Sequence, residues 1–184
     1  GFTGDDSYFL VTPAGELLIS DLRYGQQIEE ECPGLDAAIR GPGNAMPEFT
    51  AAALKKAGAR RVGFEAMSMT VGLRDALAKA SPESDLQPTA GWVEELRATK
   101  DRDEIAATRS ACQLARRAFD VIKAKIVPEM TELEAAAELE YQARRFGGRG
   151  LSFAPIVGVG RRSALPHGSP SEQRFEASDF VLID

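Results

Sequence analysis

The sequence predicts two domains of different class, an α/β domain over residues 1–95 and an α+β domain over residues 96–184. In the first half, short apolar runs alternate with helical patterns, which is typical of α/β domains. In the second half, two long helical patterns come first and two β-rich runs follow, which is an α+β order. The junction lies near residues 90–101, in the charged sequence GWVEELRATKDRDE.

The first domain opens with a predicted β-hairpin. Apolar runs at Tyr8–Val11 and Glu16–Ser20 flank the sequence TPAG, whose proline and glycine favour a tight turn. A helix is predicted in DLRYGQQIEEE, and a second in MPEFTAAALKKAGA, with Pro47 at its first position and Gly58 as its stop. A strand in RRVGFE, a helix in MTVGLRDALAKA and an exposed connection, SPESDLQPT, that leads to an edge strand complete the α/β alternation.

The second domain begins with the clearest helical pattern of the chain, which starts at Asp101. Asp101 and Glu104 form a predicted capping box, and Pro128 ends the helix. Residues spaced alternately three and four apart predict one stripe packed in the core: Ile105, Thr108, Cys112, Ala115, Phe119, Ile122 and Ile126. This helix is interpreted as scaffold.

A second capping box, formed by Thr131 and Glu134, begins another predicted helix that ends at FGGRG. Its acidic sequence ELEAAAELE is expected to face solvent. The period then changes, and LSFAPIVGVG and DFVLID are predicted as strands joined by the loop RRSALPHGSPSEQRFEAS.

Composition disfavours several classes of function. The net charge is −6 and the basic residues form no block, which disfavours a nucleic-acid partner. No apolar run reaches the ~18–20 residues that span a membrane, and the start of the chain does not resemble a signal peptide. The glycine-rich stretches match no nucleotide-binding motif. Cys32 and Cys112 are interpreted as free structural thiols. The charge balance is ordinary for a cytoplasmic protein, which is the location we expect.

The first candidate for chemistry is His167, the only histidine of the sequence, which lies between Pro166 and Gly168. Proline restrains the backbone on one side, and glycine leaves space on the other. Imidazole changes charge near neutral pH, which suits proton transfer or charge stabilisation at a reacting centre. A lone histidine in a loop is also commonly a solvated surface group, so the residue by itself leaves both interpretations open.

The second candidate is Asp184, which ends the apolar run FVLID. A carboxylate at the end of a buried strand is costly unless it is paired, hydrogen-bonded or bound to a metal. Ligands that strands carry are also rigidly aimed, as a metal site requires. The alternative is that the strand simply ends in solvent.

Taken together, these segments resemble the creatinase/prolidase/aminopeptidase P family, the M24 "pita-bread" metallopeptidases. GFTG…SYFLVTPAGELLISDLRY is similar to the start of the family's N-terminal domain, and VEELRATKDRDEIAATRSACQLARRAF to its linker and first catalytic-domain helix. The most specific part is SFAPIV…G…ALPHG, followed seventeen residues after His167 by the aspartate of VLID. The resemblance implies a creatinase/prolidase-type N-terminal domain over 1–95, with its start missing, and the N-terminal part of a pita-bread domain over 96–184.

The activity that the resemblance implies is a metal-dependent Xaa-Pro aminopeptidase or dipeptidase, which acts on small peptides with proline at the second position. His167 matches a catalytic histidine that handles the scissile-bond proton or the tetrahedral intermediate without binding metal. Asp184 matches the first of five metal ligands, the others being a second Asp, a His and two Glu. These hold two divalent ions, Mn most commonly and Co or Zn in some members, which activate a bridging water and polarise the carbonyl. The resemblance also implies a homodimer.

The sequence departs from the family pattern in ways that bear on the activity. The other four ligands would follow Asp184, so the resemblance implies that this chain is a fragment that cannot hold the dinuclear centre and is inactive alone. Glu129 and Ser178 replace glycines that are usual in two of the family's turns, which bears on loop geometry and leaves the ligand positions untouched.

Three other functions remain open from the sequence. The first is a metal-free amidinohydrolase similar to creatinase, which keeps the histidine and against which Asp184 argues. The second is a non-catalytic peptidase-like binding module, such as the histone chaperones that share this fold. Methionine aminopeptidase is less favoured, because it usually lacks an N-terminal domain like residues 1–90.

Overall fold

The structure, a computed structural model, describes residues 1–176 and 180–184, and it divides into two units, Gly1–Ala98 and Thr99–Asp184. Ser178, which replaces a glycine usual in one of the family's turns, lies outside the described residues. We describe each unit by itself.

The first unit begins with the predicted hairpin. Strand β1 (Tyr8–Thr12) pairs antiparallel with β2 (Gly15–Asp21), with Tyr8 opposite Ile19 and Thr12 opposite Gly15. Gly15 has a φ of +145°, a value that L-residues with side chains rarely adopt, which explains the glycine in TPAG. A short 3₁₀ turn (Leu22–Tyr24) and helix α1 (Gly25–Glu31) then lead to β3 (Ala37–Arg40), which is parallel to β2.

The rest of the first unit alternates helices and strands. The order is α2 (Met46–Lys56), β4 (Arg61–Glu65), α3 (Val71–Ala80), β5 (Asp85–Thr89) and α4 (Trp92–Ala98). Strands β4 and β5 are parallel, and Leu54, Leu77 and Leu86 pack together between helices and sheet.

Two local predictions in this unit are corrected. Pro47 is the second helical residue of α2, because the helix already begins at Met46. Strand β5 occupies DLQPT, which the sequence analysis assigned to a connection, because pairing with β4 extends the backbone despite its serine- and proline-rich local sequence.

The second unit is built on two helices, α5 (Arg102–Lys125) and α6 (Glu132–Arg145). Both predicted capping boxes are present. The Asp101 side chain accepts from the Glu104 N–H while Glu104 accepts from the Asp101 N–H, each at 2.8 Å. Thr131 and Glu134 repeat the arrangement at the start of α6. Glu129 precedes α6 in a turn without a positive φ, so replacing the family's glycine brings no strain there.

The predicted core stripe of α5 is wrong for most of its length: of its members Ile122 is buried and Ile126 half-buried, while those from Ile105 to Phe119 are exposed. Ala118 and Ile122 are buried, whereas Ile105 and Phe119 are each 42% exposed and Cys112 is exposed. A helix of 14 residues spans about 21 Å and one of 24 residues about 36 Å, so α6 cannot cover the full length of α5.

Two short strands complete the second unit. Strand β6 (Val157–Val159) pairs antiparallel with β7 (Val181–Ile183), and both lie against the helices. A 3₁₀ turn (Gly160–Ala164) follows β6. The buried residues of this core come from α5, α6, β6 and Phe175. The predicted classes, α/β followed by α+β, are confirmed.

None of the helices in the described part of the chain is both long and apolar enough to cross a membrane.

Candidate functional site

The candidate site is a surface cavity of about 480 Å³ in the second unit, lined by residues 153–156 and 166–170 together with Asp184. His167 and Asp184, the two residues that the sequence analysis singled out, therefore lie on the wall of the same cavity. Their catalytic and metal-ligating roles stay predictions.

Asp184 is placed by the strand pair. Its backbone N–H donates to the Ile156 carbonyl, and the Ile156 N–H donates to the Asp184 carbonyl, both at 2.9 Å. The two bonds extend the β6–β7 ladder by one residue pair beyond Val157 and Ile183. The exposed carboxylate of Asp184 is thus attached to a hydrogen-bonded strand end.

His167 is placed by a tight turn. The Gly168 N–H donates to the Leu165 carbonyl at 3.2 Å, which puts Pro166 and His167 at the two central positions. A Cβ on Gly168 would lie 3.0 Å from the Leu165 Cβ, so glycine permits the close approach. The imidazole is exposed beside the cavity. PHG therefore lies in a tight turn, and the predicted restraint of its backbone takes this form in the structure.

Glu132, at the start of α6, is a buried residue that the sequence pattern does not reveal. The sequence predicts that ELEAAAELE is solvated, but Glu132 is 0% exposed. Its carboxylate accepts hydrogen bonds from Val159, Arg162 and Ser171, and we call these four residues the Glu132 cluster. The expectation failed because helical periodicity does not reveal which chain segment covers the first turn of a helix.

Hydrogen bonding decides the charge state of Glu132. Burial by itself raises the pKa of this carboxyl, but the donors from Ser171, Arg162 and Val159 outweigh burial and hold the pKa below its ordinary value. Arg162 Nε lies 2.9 Å from Oε2, and its side chain is 35% exposed. Glu132 is therefore a buried carboxylate with a partly exposed counter-ion.

Gly158 brings the 3₁₀ turn after β6 close to the strand. A Cβ at Gly158 would lie 2.9 Å from the Arg162 carbonyl oxygen and 3.0 Å from the Ser163 Cα, both backbone atoms. The sequence signal was the glycine-rich GVGRR, which matched no nucleotide-binding motif. Gly158, the first glycine of GVGRR, allows the segment that leads to His167 to pack closely against the strand.

The donor set in residues 1–176 and 180–184 does not make a metal centre on its own. Within these residues no group of three or more His, Cys, Asp or Glu side chains is placed to hold a metal ion. Among the described residues that line the cavity, Asp184 is the only acidic one. The described residues thus offer one carboxylate, which does not by itself fit a pair of divalent ions.

Comparison with known families matches both halves of the chain. Residues 1–99 match the Creatinase/Prolidase N-terminal domain, and residues 106–184 match Metallopeptidase family M24. An uncharacterised peptidase of Bacillus subtilis strain 168 is 34% identical over all of this chain and 52% of its own length. An Xaa-Pro dipeptidase of Pyrococcus horikoshii is 29% identical over 96% of this chain and 48% of its own length. The chain spans about half the length of the curated relatives it matches.

Solved structures agree with these matches. The Xaa-Pro dipeptidase from Bacillus anthracis superposes with a TM-score of 0.90 at 34% identity, over 100% of this chain and 51% of the other. The X-Pro aminopeptidase from Thermotoga maritima gives a TM-score of 0.88 at 30% identity, with the same coverage. The chain therefore belongs to the creatinase/prolidase/aminopeptidase P family, with a creatinase/prolidase-type N-terminal domain followed by the start of an M24 pita-bread domain.

Proposed function

We propose that the full-length protein, meaning residues 1–184 with whatever its coding sequence adds, is a metal-dependent Xaa-Pro aminopeptidase or dipeptidase. Its substrates are small peptides with proline at the second position. The observation that carries the proposal is that His167 and Asp184 line one cavity. The fold of residues 1–184 also matches two Xaa-Pro peptidases over all of this chain.

His167 is the proposed catalytic residue. Its imidazole is exposed beside the cavity, and the Leu165–Gly168 turn restrains its backbone. An imidazole in that place can take or give the proton that moves when a peptide bond breaks, or stabilise charge on the intermediate. A restrained backbone keeps the imidazole near one position, which lowers the entropy lost on reaching the reactive geometry.

Asp184 is the proposed metal ligand. Its exposed carboxylate stands at a hydrogen-bonded strand end on the same cavity, and carboxylate oxygen suits manganese and similar ions. Since the described residues supply one such carboxylate, the proposal places a second Asp, a His and two Glu beyond Asp184 in the coding sequence. Finding none of them there would contradict the metal-dependent proposal.

We also propose that the protein works in the cytoplasm as a homodimer, with no nucleic-acid or membrane partner. The free thiols of Cys32 and Cys112 support a reducing compartment, and the homodimer follows from the family resemblance. Light scattering on the full-length protein measures the oligomer directly, and a monomeric mass would contradict the dimer.

The experiment that tests the function is a parallel assay of the full-length protein on an Xaa-Pro dipeptide and on creatine, with and without a chelator. We expect cleavage of the dipeptide that the chelator abolishes and added Mn²⁺ restores. Chelator-resistant hydrolysis of creatine would instead support the amidinohydrolase. Turnover of none of three substrates, the Xaa-Pro dipeptide, an Xaa-Pro-Xaa tripeptide and creatine, by a folded, Mn²⁺-supplemented protein would support a binding module.

A further inference from the structure

The segment that carries His167, residues 160–170, is here called the histidine loop. The Glu132 carboxylate is bonded to residues on both sides of it. On the entry side, Oε1 accepts from the Val159 N–H at 3.0 Å. On the exit side, Oε2 accepts from the Ser171 N–H at 2.9 Å and from the Ser171 hydroxyl at 2.6 Å. One buried side chain therefore fixes the distance between the two ends of the loop.

Arg162 connects the same carboxylate to the interior of the histidine loop. Its Nε donates to both Glu132 oxygens, at 3.0 and 2.9 Å, and its Nη2 donates to the Ser169 carbonyl at 2.7 Å. Ser169 is two residues beyond His167. The guanidinium thus bridges Glu132 and the part of the loop next to the imidazole.

Apolar burial does little to hold the tip of the histidine loop, because residues 164–167 are all exposed. Hydrogen bonds must therefore determine much of its position. A buried ion pair is a weak source of net stability, but a buried polar network whose bonds are all made fixes geometry strongly. The carboxylate of Glu132 uses both oxygens in this way.

We propose that Glu132 is a positioning residue for His167: through Val159, Arg162 and Ser171 it holds the histidine loop so that the imidazole faces the cavity. This inference rests on the proposed function, in which His167 acts on the substrate. Glu132 itself does not line the cavity and has no contact with substrate in the proposal.

The test is a double-mutant cycle between Glu132→Gln and His167→Ala in the full-length protein loaded with Mn²⁺, assayed on an Xaa-Pro dipeptide. The carboxamide of glutamine replaces one carboxylate oxygen, an acceptor, by an NH₂ group, a donor. That group would face the donors of Val159, Arg162 and Ser171. We expect kcat to fall about tenfold with KM within about twofold, since misplacing a catalytic group acts on the chemical step. In the His167→Ala background, the same change should alter kcat by less than about twofold. An equal fall in both backgrounds would overturn the proposal.

The matched control is Glu140→Gln, the same change on the same helix. Glu140 accepts from Arg144 at 3.0 Å in an exposed ion pair away from the histidine loop, so kcat should not change. If Glu132→Gln does not fold, Ser171→Ala replaces it in the cycle, because it removes one donor and leaves the carboxylate in place. We expect a fall of about threefold in kcat there, and an unchanged kcat would overturn the proposal.

A second measurement does not depend on activity. In hydrogen exchange, peptides covering residues 157–173 should exchange about tenfold faster in Glu132→Gln than in wild type, while Glu140→Gln matches wild type. If the wild type cleaves no Xaa-Pro peptide, the proposed function fails while this exchange result still tests the placement. Unchanged exchange in a folded Glu132→Gln variant would overturn the positioning role even in an active enzyme.

Discussion

Gly158 and Gly168 show at the scale of single residues how the chain reaches its candidate site. Gly158 lies just before the histidine loop and Gly168 lies within it, and a Cβ added at either would lie 2.9–3.0 Å from another residue of the chain. The loop at His167 and its backbone restraint could be predicted, because Pro166 and Gly168 flank the histidine. The role of Gly158 could not, since the atoms it approaches belong to Arg162 and Ser163, and only the folded turn brings them there.

Gly158→Ala should destabilise the second unit by about 1–3 kcal/mol, because the new Cβ would meet backbone atoms that cannot rotate away. Calorimetry of the 184-residue chain measures the change. Gly72→Ala is the control, since a Cβ there meets nothing within 4 Å and alanine favours the α3 helix. Equal stability of the Gly158→Ala variant and wild type would contradict the close approach.

Helices α5 and α6 show what can be predicted at the scale of elements. Both helix starts could be predicted from their capping boxes, because a capping box depends only on residues three apart. The packing of α5 could not, since a periodic stripe identifies an apolar face but not the length of its partner. The sequence also predicts an exposed Glu132, because helical periodicity does not reveal that residues 159–171 cover the first turn of α6.

Ile122→Ala in the 184-residue chain should cost about 3 kcal/mol of unfolding free energy, because Ile122 is 0% exposed in the core between α5 and α6. Ile105→Ala, the same change on the same predicted stripe, should cost less than about 1 kcal/mol, since Ile105 is 42% exposed. Urea unfolding of the two variants measures the difference. Equal losses would mean that the whole stripe is packed.

At the scale of the whole molecule, each unit contains a buried carboxylate bonded to arginine. In the first unit Asp21 accepts from Arg23 and Arg40, and these bonds, led by the one from the Arg23 side chain, hold the pKa of Asp21 well below its usual range. Glu132 is the counterpart in the second unit. The two-domain order could be predicted from the alternation of patterns. The Asp21–Arg40 and Glu132–Arg162 pairs could not, because their residues are 19 and 30 positions apart in the sequence.

The lowered pKa values predict the direction of the pH dependence. A carboxyl whose pKa is lower in the folded state than in the unfolded state adds stability above its unfolded pKa and loses it as the pH falls through the folded pKa. The unfolding free energy should therefore fall as the pH drops below about 4.5, the ordinary value for Glu132. Urea unfolding at pH 7 and pH 3 measures this change. Between these two pH values, the unfolding free energy of the second unit should fall less in Glu132→Gln than in wild type. A pH dependence identical to wild type would contradict the lowered pKa of Glu132.

The proposed catalytic site contains both His167 and Asp184 and gives them different roles. It is tested most directly by measuring bound metal and Xaa-Pro dipeptide turnover side by side in His167→Ala and Asp184→Asn variants of the full-length protein. We predict that His167→Ala keeps its metal and loses turnover by about 100-fold or more, as removal of a general acid–base group does. Asp184→Asn should lose both metal and turnover. Metal loss in His167→Ala, or full metal content with full turnover in Asp184→Asn, would contradict these roles of the two residues.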